Sequence, residues 1–371
     1  MHRPRLYFLD NLRFVVVILV IVLHAAIPYM TVPPSWWYVV DPQHDAFFTM
    51  LVLVIDVPLM LILFFISGYF AYGSLEKRGA EAFVRDKLKR IGLPWVFGVV
   101  FLAPPVTYLM YLSHGIDVPY LRFWAQDFWG PAYQQTVYWF LGILLALFVL
   151  LAIAYGGSPR WRHLERRPQP PGAGLLAGFW AVNTLWFYAL SLAYPADAWA
   201  NFGNLFMYQP QRALLYVTYF ALGVYADRRG WFRPDGYRPG LALWPAAALL
   251  SGALYLAVRM GWVGLDEGSS RALIAVLFNA FCLSSLLAGT ALFQRCANGG
   301  GRAWSSLALG AYGMYYVHPL ILYPLGMVFA VATLSALLKW GILVVVTAAL
   351  AWAFTALVLA RTPYLRDIFG G

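Results

Sequence analysis

Long apolar runs fill this chain, separated by short polar, proline-rich or basic stretches. About ten of the runs are long enough to cross a bilayer as a helix, which needs roughly 20 apolar residues. They cover approximately 6–30, 46–74, 90–113, 136–155, 173–194, 209–226, 240–259, 270–295, 304–330 and 337–360. The short alternating segments of barrel strands are not seen. Helices satisfy their backbone polar groups without water, so the pattern predicts an all-α polytopic membrane protein with about ten transmembrane helices. The first run starts basic, like a signal peptide. It is too long for one, and no convincing small-x-small site follows, so it reads as a retained span. With no internal repeat and no soluble domain in view, 1–371 reads as a single integral-membrane domain.

Composition agrees with this reading. Of 371 residues, 62% are hydrophobic and 11% charged, and the mean hydropathy is +0.67. A soluble domain of this size has no use for so much apolar surface. The formal charge of +10 lies in loops, which argues for topology signals before nucleic acid. Basic residues alternate along the chain. His2, Arg3 and Arg5 precede span one, and Lys77, Arg78, Arg85, Lys87, Lys89 and Arg90 follow span two. Arg160, Arg162, Arg166 and Arg167 follow span four, Arg228, Arg229, Arg233 and Arg238 span six, and Arg361 and Arg366 span ten. Arg295 and Arg302 flank the loop between spans eight and nine. The loops between carry Asp41, Asp45, Asp117, Asp127 and Asp197 instead. By the positive-inside rule both termini face the cytoplasm. Cys282 and Cys296 fall on one predicted helix and its inner end, against a disulfide framework or a cysteine metal site. The segment 156–172 reads as a flexible cytoplasmic loop.

Depth then follows from direction. Arg13 and His24 bracket an apolar run in span one, roughly 16 Å apart along the axis. Arg13 lies near the cytoplasmic side and His24 in the outer half. Span nine also runs outward, and His318 sits about 21 Å along it from Trp304, at a depth like that of His24. Span two runs inward, placing Asp56 in the outer half and Ser67-Gly68 level with Arg13. Arg212 begins span six on the outer side.

Each of these residues has a structural and a functional reading. A membrane histidine serves as an interhelical hydrogen-bond partner or, neutral near an unperturbed pKa of about 6.5, as a base for a hydroxyl proton. Arg13 snorkels to headgroups or serves a site. Asp56 pairs with a neighbouring donor or fixes a histidine tautomer. Ser67-Gly68 is close helix packing or part of a site. Arg85, Lys87 and Arg90 are topology determinants or a phosphate clamp. The Trp, Tyr and Pro of the outer loops, as in Pro33-Pro34-Ser35-Trp36-Trp37-Tyr38, form an interfacial belt or a sugar platform. In the functional reading, a base outside and a phosphate clamp inside imply two substrates that approach from opposite faces.

Tyr7-Phe-Leu-Asp10-Asn-Leu-Arg13, ten residues and then His24 resembles the opening motif of the membrane-bound acyltransferase-3 superfamily. Phe64-Phe-Ile-Ser67-Gly68-Tyr69-Phe70, Arg85-Asp-Lys87-Leu-Lys-Arg90-Ile-Gly-Leu-Pro94, Tyr138-Trp139-Phe140-Leu141, Tyr312 to Pro319, and the tail from Arg361 resemble its later motifs, in order. The Asp-Asn-Leu-Arg, Ser-Gly-Tyr-Phe and Tyr-Val-His-Pro segments look closest to the branch that succinylates periplasmic glucans. The resemblance implies acyl transfer from cytoplasmic acyl-CoA to a carbohydrate or glycan hydroxyl at the outer face of a bacterial inner membrane. By the same resemblance His24 is the catalytic base, Arg13 its paired essential cation and His318 a support of the site, and Arg85, Lys87 and Arg90 are placed at the donor phosphates. From the reading of depth, Asp56 joins the catalytic candidates and Ser67 those at the donor. Where the family often has Arg-x-x-Arg, this chain has Lys87-x-x-Arg90, which keeps the charge and loses one bidentate fork. The fused extracytoplasmic hydrolase-like domain of some members is missing from the sequence, so any second acyl-handling step falls to a separate periplasmic partner. No metal or prosthetic group is implied.

The leading expectation is therefore a membrane O-acyltransferase. Its rival is a transporter or exporter of sugar or lipid-linked substrates, in which the same polar residues line a path. Paired repeats with broken helices mark many transporters, and none is evident in the sequence. A serine hydrolase at Ser67 lacks the Gly-x-Ser-x-Gly elbow.

Overall fold

The computed structural model describes residues 5–157, 168–233 and 236–369. His2, Arg3, Arg160, Arg162, Arg166 and Arg167, and most of the 156–172 loop, lie outside the described residues. All ten apolar runs are helical. Among the described residues, eight helices are long and apolar enough to cross a membrane. In chain order they begin with α1 (Tyr7–Ala26), then α2 (Ala46–Ile55) and α3 (Leu59–Arg78), which together form the second span. Next come α4 (Ala80–Ser113), α5 (Thr136–Gly157) and α6 (Ala173–Ser191). A short hairpin, β1 (Ala200–Phe202) and β2 (Phe206–Tyr208), precedes α7 (Ala213–Arg228) and α8 (Leu243–Arg259). The chain closes with α9 (Glu267–Cys296), α10 (Arg302–Ala330), α11 (Ala336–Leu359) and α12 (Pro363–Phe369).

The sixth and seventh spans are shorter than expected, with 16 residues in α7 and 17 in α8. The turn Pro210–Arg212 delays α7, and α8 stops before Gly261, whose φ of 71° no L side chain adopts easily. The second span breaks at 56–58, where Pro58 has no N–H to continue the helix. Elsewhere ordinary signals set the ends. Asp45 caps α2 by accepting from the Phe47 N–H at 2.7 Å, Asp266 caps α9 through the Ser269 N–H at 3.0 Å, and Gly79 at φ 79° turns α3 into α4. Two π-helical turns, Leu88–Gly92 and Gly98–Leu102, sit inside α4.

The centre of the bundle rests on close backbone approach between α3 and α7. A Cβ on Gly68 would run into the Phe220 carbonyl, and one on Gly223 into the Phe65 carbonyl. Ser67-Gly68 is thus a packing site of the small-residue kind, with Ser67 half-buried beside it. Because both obstacles are backbone, neither helix relieves the clash by a rotamer change. Gly68→Ala is expected to cost about 1–3 kcal/mol, read as a lower unfolding temperature in detergent. Gly178→Ala, with no atom within 4 Å of the added carbon, is the control that leaves it unlowered.

Helix α10 sets the frame for the site. Near its start Trp304 packs edge-on against Phe14 of α1, 6.4 Å between centroids. Farther along, His318 meets His24, so α1 and α10 run side by side in one direction. Between these contacts, Tyr312 donates its hydroxyl to the Arg90 carbonyl at 2.9 Å, and Tyr316 donates to the Pro94 carbonyl at 2.9 Å. Pro94 has no N–H to offer the Arg90 carbonyl four residues back, and Tyr312 satisfies that oxygen. Tyr315 reaches the Val137 carbonyl, and Tyr138 donates to the Tyr316 carbonyl at 3.2 Å. The segments around Arg90, Tyr138 and His318 therefore converge on one helix.

Candidate active site

Pro319 lies inside α10 and has no N–H for the Tyr315 carbonyl. His318 takes up that carbonyl, donating from Nδ1 at 2.7 Å. A carbonyl only accepts, so the proton of the neutral ring is on Nδ1 and Nε2 carries the lone pair. His24 Nδ1 lies 3.0 Å from that Nε2 and must be the donor. The proton of neutral His24 is then on Nδ1, and its Nε2 is left with a free lone pair. Among the described residues Nε2 has no hydrogen-bond partner. The rings are near parallel, 18° apart with centroids at 5.3 Å. His318 is wholly buried, while His24 lines a cavity of about 1640 Å³.

The loop between α1 and α2 roofs this pair. Trp37 lies 5.5 Å from the His24 ring and 5.7 Å from Tyr323, and Tyr38 stacks obliquely on Tyr323 at 4.5 Å. The loop is tied to α11 by an ion pair, Lys339 Nζ to Asp41 Oδ2 at 2.9 Å, with both side chains almost wholly buried. Gln43 adds a bond to the Leu334 carbonyl at 2.9 Å. Sequence reading passed over Lys339. A lysine three residues into an apolar run was the available signal, because a charge at membrane depth needs a partner.

Apart from Ser67, the remaining sequence candidates fall into three places. Asp56 is held by Arg212, which also reaches the Asp56 carbonyl at 3.4 Å and lies over the Phe278 ring at 5.2 Å. Asp56 lines the same cavity as His24, but the carbonyl of Tyr315, acting through His318, orients the histidine and Asp56 does not. Arg13 lies on the His24 face of α1, three turns back and about 16 Å away. Its Nη2 is 3.4 Å from Asp10, which Arg5 also contacts at 3.0 Å, and its buried Nε has no partner among the described residues. The third place is the start of α4. There Asp86 gathers Arg78 at 2.7 Å, Arg90 at 3.3 Å and Lys87 at 3.7 Å, and Arg85 is exposed. Lys87 lies over Phe148 at 4.8 Å and Phe83 at 5.3 Å. Tyr312, the residue bonded to the Arg90 carbonyl, is six positions before His318, or about 9 Å along α10. Ser67 has no hydrogen-bond partner among the described residues and joins none of these clusters. Among the described residues no group of three or more His, Cys, Asp or Glu is placed to hold a metal ion.

Helices long enough to span a bilayer, packed around a histidine pair of which His24 lines a large cavity, make this a multi-pass membrane protein. The acyltransferase domain family matches residues 6–356, and the chain belongs to that family, the acyltransferase-3 family. Glucans biosynthesis protein C of Salmonella gallinarum is 24% identical over 240 residues, 60% of this chain and 58% of the relative. The proteins of that name from Salmonella schwarzengrund and Salmonella heidelberg are 26% identical over 246 residues, again 60% and 58%. The chain thus spans under two thirds of the length of the curated relatives it matches, 58%. No solved structure matches it.

Proposed function

We propose that the protein is an O-acyltransferase of the bacterial inner membrane, carrying an acyl group such as acetyl or succinyl from cytoplasmic acyl-CoA to a glycan hydroxyl at the outer face. The observation that carries the reading is the free Nε2 of His24, fixed by the His318–Tyr315 relay on a ring that lines a cavity rich in aromatic side chains. His24 Nε2 takes the acceptor's hydroxyl proton as the oxygen attacks the thioester carbonyl. The carbon–sulfur bond then breaks, and the proton passes from Nε2 to the departing CoA sulfur. His318 stabilises the imidazolium by accepting from Nδ1. The cations at the start of α4, with Arg85, Lys87 and Arg90, suit the phosphates of CoA, and Arg13 lies on the His24 face of α1 between the two faces. The names of the relatives favour a glucan as acceptor. The outer-loop tryptophans line the cavity beside His24, which favours a sugar platform over a purely interfacial belt.

The test is mass spectrometry of envelope glycans from wild type, a deletion strain, and the deletion carrying either the wild-type gene or His24→Ala. The expected result is an acyl mass increment that disappears on deletion and returns only with the wild-type gene. Unchanged glycans in the deletion strain sink the proposal.

A further inference from the structure

The cavity is larger than the reaction needs. Sites that enclose a drug-sized ligand measure roughly 300–1,000 Å³, and this one is about 1640 Å³. One hexose at His24 would leave most of it empty. Its lining is not uniform. From His24 an unbroken series of ring contacts follows the wall through Trp37, Trp36, Trp199, Trp139 and Tyr216, with centroid steps of 5.5, 5.6, 6.3, 5.2 and 5.3 Å. All of these rings line the cavity, with Trp36 and Trp199 half-buried on its surface and Trp37, Trp139 and Tyr216 buried in the wall behind. The indole N–H groups of Trp37 and Trp199 are buried without a partner, although a buried indole usually finds one.

Tyr216 lies one helical turn from Arg212, so the rail ends at the Asp56–Arg212 pair. That end is built in a costly way. The second span turns at 56–58 there, where Pro58 has no N–H to offer the carbonyl four residues back, and a charged pair at membrane depth is itself costly. Arg212 holds both the carboxylate and the carbonyl of Asp56. The pair still faces the cavity, and the Asp56 side chain stays 37% exposed. A carboxylate offers about four lone-pair sites and a guanidinium five N–H donors, so both retain bonding capacity after pairing. Among the described residues no hydrogen bond, ion pair or ring contact joins this pair to His24 or His318. It is therefore a separate polar site at the far end of the rail. Acceptors and donors side by side, with the charge already neutralised, suit the hydroxyls of an uncharged sugar.

We propose that the cavity is an extended groove for a neutral oligosaccharide several units long, with the reacting unit at His24, middle units on the tryptophan rail and a remote unit held by Asp56 and Arg212. This rests on the acyl-transfer reading only for which end reacts; the groove itself is a binding statement. Binding energy gathered at the remote end is then available to position the reacting hydroxyl.

Calorimetric titration of the detergent-purified full chain with β-linked gluco-oligosaccharides of two to seven units tests this directly. Background protein carries His24→Ala, so no transfer intervenes. The heptasaccharide is expected to bind at least tenfold more tightly than the disaccharide. Arg212→Lys, which keeps the charge opposite Asp56, and the paired change Asp56→Leu with Arg212→Leu, which leaves neither charge unpaired, are each expected to remove most of that gain. Both should leave disaccharide affinity within about twofold. Affinity independent of length, an equal loss for short and long sugars in both variants, or no binding at any length would overturn the proposal. Turnover of the same sugars by the His24 protein with acetyl-CoA and succinyl-CoA is read separately. Length-dependent binding without ester formation supports the groove and defeats the acyl-transfer reading.

Discussion

His24→Ala is expected to lower acyl transfer by about 10²–10⁴-fold, the usual worth of a positioned general base, with the protein still inserted and its unfolding temperature little changed. The small structural effect follows from the position of the ring, half-buried and facing the cavity. His318→Leu tests the relay behind it. That change leaves the His24 Nδ1–H without its acceptor and the tautomer unfixed, so a partial loss is expected, smaller than that of His24→Ala and confined to kcat. The assay is single-turnover ester formation with purified protein, acyl-CoA and a glucan acceptor. Full activity in His24→Ala would remove the base from the mechanism.

The largest structural effect is expected from Lys339→Met. Lys339 and Asp41 are 0% and 1% exposed, so the variant strands a carboxylate where water does not reach. Breaking one side of such a pair typically costs about 3–5 kcal/mol, whereas replacing both members with apolar residues is often neutral. Lys339→Met should therefore lower the unfolding temperature in detergent sharply, and adding Asp41→Leu should restore most of it. A single variant as stable as wild type would show that the pair is not buried as described. The restored double variant has a second use. It keeps the fold but leaves the loop that carries Trp36 and Trp37 held only by the Gln43 bond to the Leu334 carbonyl among its polar ties to this end of α11, so acceptor KM should rise while the histidine pair stays intact.

Much of this architecture was legible in the sequence. Runs of apolar residues long enough to span a bilayer admit few structures, because an unpaired backbone group in hydrocarbon is so costly. The similar depth of His24 and His318 also followed from direction and helical rise. Their contact did not, because it requires that α1 and α10 be neighbours, and no local pattern states which helices touch. Asp56 and Arg212 were both visible as charges at membrane depth, yet their pairing is tertiary. Asp41 with Lys339 was missed because each looks ordinary alone, one a loop acid and the other a lysine near a helix start. The break at 56–58 was smoothed over because only Asp56 and Pro58 interrupt an otherwise apolar run. The π-helical turns of α4 leave no mark in hydropathy at all.

The proline after His318 has a consequence for how the site could be altered. The group that fixes the histidine ring is a main-chain oxygen, and it is available because the residue four positions on lacks a hydrogen. Pro319→Ala would delete no functional group and touch no substrate, yet it would hand the Tyr315 oxygen back to the helix ladder. His318 would then be free to exchange its two tautomers, and in one of them both rings of the pair would offer protons to each other. The protonation pattern of the pair is thus written into the backbone, and a residue with no polar side chain controls it.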